Sequence, residues 1–257
     1  MGVVNVTPDS FSDGGLYLDP GAAIQHGVHL VEAGAAILDV GGESTRPGAE
    51  EVTAEEELRR VVPVIEGLAG LDAQISVDTS KAAVAEAALD AGATIVNDVT
   101  ALRGDAAMAG LCAERGATVI LMHMAGSPRT MQEHPSYDDV VAEVKAFLAE
   151  RLQAALTAGI AAERIWLDPG IGFGKTAEHN LELLRRLSEL TELGRPLVIG
   201  TSRKSFIGRL DGSGANERLG GTIASSILAA IEGAEVLRVH DIAEVGQALT
   251  VAGAILG

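Results

Sequence analysis

Short apolar runs alternate with amphipathic helical patterns from one end of the chain to the other, and this repetition constrains the fold more than any other feature. Strands are predicted at 2–6, 36–40, 74–78, 94–98, 118–122, 165–168, 197–200 and 236–239, with helices at 21–33, 54–69, 81–91, 106–115, 137–158, 177–193, 221–231 and from 241 onward. In Ile24, Val28, Leu30 and Val31, and again in Val144, Phe147, Leu148, Leu152 and Leu156, apolar residues return at three and four, which lays one stripe of each helix against a sheet. Eight βα units within 257 residues predict a single-domain (β/α)8 barrel. An open doubly wound sheet is the alternative, because periodicity does not show closure. No linker, low-complexity tract or charge run marks a second domain.

Almost every predicted strand is apolar until its last residues and then ends in a group that hydrogen-bonds or carries charge. The first ends at Asn5, the second at Asp39 followed by Glu43-Ser44-Thr45-Arg46, the third at Asp78, the fourth at Asn97 and Asp98, and the fifth at His123. The sixth ends at Asp168, the seventh at Thr201-Ser202-Arg203-Lys204 and the eighth at Arg238 and His240. One such residue is explained as a cap for the helix that follows. Eight of them are better explained by a shared mouth, since in a parallel barrel the C-terminal strand ends meet at one face.

The stretch Leu167-Asp168-Pro169-Gly170-Ile171-Gly172-Phe173-Gly174-Lys175-Thr176 delivers a carboxylate at a strand end and then places glycines at alternate positions. Glycine there admits positive φ or close approach of backbone to a ligand, although Asp-Pro-Gly is also common turn chemistry. Pro169 stands where a nucleotide P-loop needs glycine, so the partial Gly-Lys-Thr match is set aside. Only four lysines occur, and two of them, Lys175 and Lys204, lie in loops that follow strands.

Charge and cysteine content narrow the partners. Net charge is −17 with no basic cluster, which argues against nucleic acid and anionic membranes. Cys112 is the only cysteine and sits in an apolar helical pattern, so it reads as core, and the chain reads as cytoplasmic. No apolar run reaches the length of a membrane span.

The strand ends offer two chemical sets. Asp78, Asn97 and Asp168 suit a flat heterocycle with several N–H donors; hydrogen bonds to charged partners are worth about 1.5–3 kcal/mol each, enough to select one ring system. Arg46, Lys204, Arg238 and His240 form a cationic set, with Arg238 and His240 two apart on one strand and therefore on one face. Arg238 is expected to meet an anion, either a ligand or a strand-end carboxylate. The loop Asn5-Val6-Thr7-Pro8-Asp9-Ser10-Phe11-Ser12-Asp13-Gly14-Gly15 has the composition of a cover over the mouth. No His-x-x-x-His or Cys-x-x-Cys spacing appears, but Asn5 could join a magnesium ion held chiefly by a ligand's phosphates. His123, His134 and His179 show no partner pattern and read as structural.

Taken together, the loop from Asn5 to Gly15, Gly42-Glu43-Ser44-Thr45-Arg46-Pro47-Gly48, Val77-Asp78-Thr79, Asn97-Asp98, Asp168-Pro169-Gly170, Gly172-Phe173-Gly174-Lys175, Ser202-Arg203-Lys204-Ser205 and Arg238-Val239-His240-Asp241 resemble the signature motifs of the dihydropteroate synthase family, in order and along the whole chain. The resemblance implies a pterin-binding barrel that joins p-aminobenzoate to 6-hydroxymethyl-7,8-dihydropterin diphosphate with release of pyrophosphate. It implies that Asp78, Asn97, Asp168 and Lys204 hold the pterin, and that Thr45, Arg46, Arg238 and His240 hold the diphosphate. It further implies that Asn5 helps place Mg²⁺, and that Phe11, Pro47, Phe173, Lys204 and Ser205 line the p-aminobenzoate pocket where sulfonamides compete. Asp13, Arg46, Lys204, Arg238 and His240 would carry the chemistry, under loops that close over the substrates, in a homodimer. The resemblance implies a segment before the first strand that closes the barrel bottom, and here only Met1 precedes Gly2. Either the true start lies upstream, residues were removed, or the bottom is closed differently; with the mouth residues intact, stability rather than chemistry is expected to be affected. A methyltransferase binding methyltetrahydrofolate would share the pterin ligands but has no use for the cations. A pterin-binding paralogue without catalysis would not be expected to retain Asp13, Thr45, Arg46 and Pro47.

Overall fold

Strand register builds the molecule. In this computed structural model, which describes residues 1–7, 19–44, 51–126 and 130–257, β1 (Gly2–Asn5), β2 (Ile37–Gly41), β3 (Gln74–Asp78), β4 (Ile95–Asp98), β5 (Thr118–Met122) and β6 (Ile165–Asp168) pair in parallel in chain order. A second parallel pair joins β7 (Val198–Ile199) to β8 (Val236–Leu237). Bridges Leu167↔Leu197 and Gly2↔Val239 connect the two sets, with the Val3 amide donating to the Val239 carbonyl at 3.2 Å. The ring is therefore closed, and the open-sheet alternative falls.

Between the strands run α1 (Pro20–Glu32), α2 (Ala54–Leu68), α3 (Ala82–Asp90), α4 (Met108–Arg115), α5 (Val140–Thr157), α6 (Ala177–Arg185), α7 (Ser188–Thr191), α8 (Ser205–Asp211), α9 (Leu219–Ile231) and α10 (Ile242–Leu256). Their starts are chemically marked. Asp19 accepts from the Gly21 amide, Thr53 from Glu56, Asp139 from Val141 and Ala142, and Thr176 forms a reciprocal capping box with His179. Two expectations are corrected. The single predicted helix over 177–193 breaks at Arg186, where φ is −112° and ψ 26°; the short helix α8 inside the seventh βα-loop was not predicted.

The core has two principal parts. Helix stripes pack on the outer faces of the strands, with Leu38, Val40, Ile65, Leu68, Val77, Val96, Leu121, Leu148 and Leu167 fully buried. Inside the barrel, Met1, Ile37, Ile95, Ile120 and Val198 pack with Trp166 and Val236. Alternate residues of a strand share a face, so moving two residues along from that plug arrives at Asp39, Asn97, Met122, Asp168, Gly200 and Arg238. The apolar floor thus fixes which side chains point into the mouth.

Candidate active site

Four strands feed one hydrogen-bonded group in the mouth. Arg238, just past β8, donates from Nε to Asp39 Oδ2 at 2.6 Å and from Nη2 to Asp78 Oδ2 at 3.0 Å. The Asn97 amide nitrogen donates to the same Asp39 oxygen at 3.1 Å. Asp39 is fully buried, and its other oxygen has no hydrogen-bond partner among the described residues. Burial and the neighbouring Asp39 carboxylate push the Asp78 carboxyl up from the usual carboxylate range, against the pull of Arg238. Arg238 does meet carboxylates, as the apolar strand around it required. Its partners are Asp39 and Asp78, while Asp241 pairs instead with Arg203 at 2.5 Å.

The β6 end supplies the second wall. Asp168 is buried and accepts from the Gly170 amide at 2.6 Å; burial raises its pKa, with Lys204 opposing. The following loop turns through Gly170, Gly172 and Gly174 at φ 66°, 85° and 62°. A Cβ on Gly170 would lie 1.9 Å from the His123 carbonyl oxygen, so backbone approach there requires glycine. Lys204, at the N-cap of α8, donates to the Ile171 carbonyl and stacks over the Phe173 ring with Nζ 4.8 Å from its centroid. Burial brings its pKa down to about 8. Both Lys204 Nζ and the Arg238 Cβ lie within 4 Å of the position a Gly200 side chain would take, at 3.6 and 3.8 Å, so the two cationic residues share one wall over a bare backbone.

The remaining predicted residues fall as follows. Asn5 is half-buried at the end of β1; its Oδ1 and Asp78 Oδ2 are each 3.8 Å from where a Gly41 Cβ would stand, so both oxygens lie beside the bare backbone of Gly41. His240 Nδ1 bonds the Ser202 hydroxyl at 2.9 Å. Ser205 is exposed at the start of α8. Asp98 leaves the site: its oxygens accept from Thr100 and Leu102 and shape the β4 turn. His123 and His179 have the structural roles expected, the first against Phe147 and Lys175, the second in the α6 cap. Phe11, Asp13, Thr45, Arg46 and Pro47 lie outside the described residues.

Sequence reasoning placed Asp39 at a strand end but gave it no part in the site. The signal was available: a carboxylate inside Ile37-Leu38-Asp39-Val40 is as costly as Arg238 inside its own strand, and each answers the other. A further cluster went unnoticed. Lys81 joins Glu43 at 2.5 Å to the buried Glu57 at 2.6 Å, and the other Glu43 oxygen accepts from the Val52 amide at 3.0 Å. No spacing rule links residues so far apart in the chain.

Residues 1–240 match the family model described as pterin binding enzyme. The dihydropteroate synthase of Escherichia coli (strain K12) is 50% identical over 257 residues, covering 100% of this chain and 91% of that protein. A crystal structure of the Yersinia pestis dihydropteroate synthase with a sulfonamide drug complex superposes with a TM-score of 0.95 at 45% identity, covering 99% of this chain and 93% of that one. The Xanthomonas albilineans dihydropteroate synthase with 4-aminobenzoic acid gives 0.94 at 51% identity, covering 100% and 92%.

Proposed function

The chain belongs to the pterin-binding enzyme family, and from that premise we propose how its mouth performs the dihydropteroate synthase reaction, in which p-aminobenzoate displaces pyrophosphate from 6-hydroxymethyl-7,8-dihydropterin diphosphate to form 7,8-dihydropteroate in folate synthesis. Asp78, Asn97 and Asp168 accept the N–H groups of the pterin edge, with Lys204 over the ring. Arg238 and His240, together with Thr45 and Arg46, take the diphosphate. Phe173, Lys204 and Ser205, with Phe11 and Pro47, form the arylamine pocket, the position at which a sulfonamide competes. Asp13 and Arg46, which follow β1 and β2 in the chain, complete the catalytic set. The observation that carries this reading is the convergence of Asp78, Asn97 and Asp168 on one opening beside Lys204 and Arg238.

Charge development sets the division of labour. As the methylene carbon–oxygen bond breaks, negative charge grows on the diphosphate and positive charge spreads into the electron-rich pterin. Cationic side chains aimed at the leaving oxygens stabilise the first, and the Asp168 carboxylate at the ring stabilises the second. The arylamine nitrogen then bonds the methylene carbon and gives up a proton to solvent. No covalent enzyme intermediate is required, because positioning supplies the rate.

The residues also fit a magnesium ion. Asn5 offers one amide oxygen beside Gly41 at the C-terminal end of β1, and magnesium accepts such sparse protein ligation when phosphates fill the remaining positions. When bound, Mg²⁺ would neutralise charge on the departing diphosphate. We also assign a cytoplasmic homodimer. No helix among the described residues is long and apolar enough to cross a membrane. Leu219, Leu228 and Ile231 on α9 and Val251, Ile255 and Leu256 on α10 are exposed, which suits a helix-mediated interface between two copies.

The test is pyrophosphate release with both substrates. Arg238→Ala is expected to lower kcat about a hundredfold, the scale of losing one donor to developing charge. Unchanged turnover at saturating substrate would remove Arg238 from the diphosphate site.

A further inference from the structure

We propose that Asp39 is a positioning residue that sets the amide face of Asn97 and tethers Arg238 by its Nε, leaving the guanidinium tip to pass from Asp78 to an incoming anion. The inference rests on the reading of Asn97 as a ring ligand and Arg238 as a diphosphate ligand.

Asp39 is fully buried, so in this conformation it touches no bound molecule directly. One of its oxygens nevertheless takes two donors from opposite sides of the ring, Arg238 Nε after β8 and Asn97 Nδ2 on β4. A carboxylate accepts and does not donate, so the Asn97 group facing it is the NH₂. Asn97 Oδ1 is thereby left as the acceptor on the mouth side, beside Asp78 and Asp168. All three strand ends then present acceptors to a ring edge rich in N–H donors. Without Asp39 the amide is free to turn over and offer a donor where the ring also has one.

The same oxygen divides Arg238 into a fixed and a free part. Nε is held at 2.6 Å by Asp39, while Nη2 reaches Asp78 Oδ2 at 3.0 Å. A ring that takes Asp78 for its own N–H groups competes for that second bond. The guanidinium stays anchored through Nε, and its tip is released toward a phosphate oxygen. Ring binding and anion binding are thus coupled through one side chain. Among the described residues the second oxygen of Asp39 has no hydrogen-bond partner, which is a cost at a buried site and fits a residue kept for what it orients.

Four variants separate the parts. With Asp39→Asn, kcat/KM for the pterin diphosphate is expected to fall about 10- to 100-fold, the scale for losing a group that orients a functional ligand. KM for p-aminobenzoate stays unchanged. The affinity for 6-hydroxymethylpterin, read by fluorescence quenching, falls as well. Exchanging the pair, Asp39→Asn with Asn97→Asp, restores an acceptor at the mouth and keeps one buried carboxylate. It should recover ring affinity while turnover stays low, a split that general loosening of the fold would not give. The exchanged pair also supplies a folded protein if Asp39→Asn alone does not fold, which thermal melting decides. In a cycle with Arg238→Ala, the two losses should be far from additive. If Arg238→Ala is impaired but Asp39→Asn retains full kcat/KM and ring affinity, Asp39 is not a positioning residue. If Arg238→Ala is itself unimpaired, the diphosphate reading fails and the tether falls with it. Ring affinity lost equally in Asp39→Asn and in the exchanged pair overturns the amide assignment.

Discussion

Lys175 is buried where a charge is expensive, and its three neighbours say how it manages. Nζ lies 2.8 Å from His123 Nδ1, 3.0 Å from the Gly170 carbonyl and 2.9 Å from that of Phe173. Two carbonyls need two N–H donors, and the imidazole serves as either partner, so a neutral amine satisfies all three. Burial accordingly brings Lys175 down to about 7 and His123 to about 3, the histidine staying neutral. Between the lowered value and the ordinary lysine value of 10.5 the unfolded chain holds the extra proton, so this group makes the fold more stable as pH rises. The wild-type protein should therefore gain stability over Lys175→Met between pH 7 and 10, by up to about 1.4 kcal/mol per pH unit. Chemical denaturation at several pH values measures it, and parallel curves for the two proteins would place the charge elsewhere. Lys175→Met also orphans two carbonyls, at roughly 1–3 kcal/mol each. The clamp holds the loop at the backbone of Gly170 and Phe173, whose tight turn Gly170→Ala should disrupt, with a large drop in melting temperature and in turnover. The sequence made the glycines and Lys175 conspicuous. It could not pair Lys175 with His123, because contacts across a barrel have no local signature.

At the scale of elements, periodicity reports which face is buried and is blind to interruptions. Leu183, Leu187 and Leu190 are all fully buried, as a continuous helix over 177–193 predicts, yet α6 and α7 are separate. The break falls at Arg186, whose guanidinium is held by Glu189 at 2.7 Å and Asp139 at 3.2 Å. Helix α8 was missed because it is a single seven-residue stretch in which only Phe206 and Ile207 are buried while Leu210 is exposed, too short a segment for a period to stand out. Strand ends were the legible part, since a polar residue in an apolar run is local and obvious. Apolar residues that stay outside are the converse signal. On α9 and α10, which pack together, Leu228 is 59% and Ile255 78% exposed. Leu228→Glu combined with Ile255→Glu should convert a dimer to a monomer in analytical ultracentrifugation, with the fold intact by circular dichroism. An unchanged sedimentation mass would move the interface off these helices.

Over the whole molecule, charge works against the substrates. The chain carries −17, while both the pterin diphosphate and p-aminobenzoate are anions. Near the mouth the described cations are largely answered: Arg238 by Asp39 and Asp78, Arg203 by Asp241. Lys204, brought down to about 8 by burial, lies near Asp168. Long-range attraction is therefore weak, and the general field is repulsive. That field reaches about 30 Å at 0.01 M salt and only about 8 Å at physiological ionic strength. Adding salt at fixed Mg²⁺ should first raise kcat/KM for the diphosphate substrate, because distant repulsion is screened before contacts inside the mouth are. At higher salt the local contacts weaken in turn and the value falls, giving a maximum at intermediate ionic strength. The rise belongs to encounter, so kcat at saturating substrate should stay flat across the same range. A fall in kcat/KM from the lowest salt onward would mean that cations at the mouth govern the approach, and that the surface charge does not reach it.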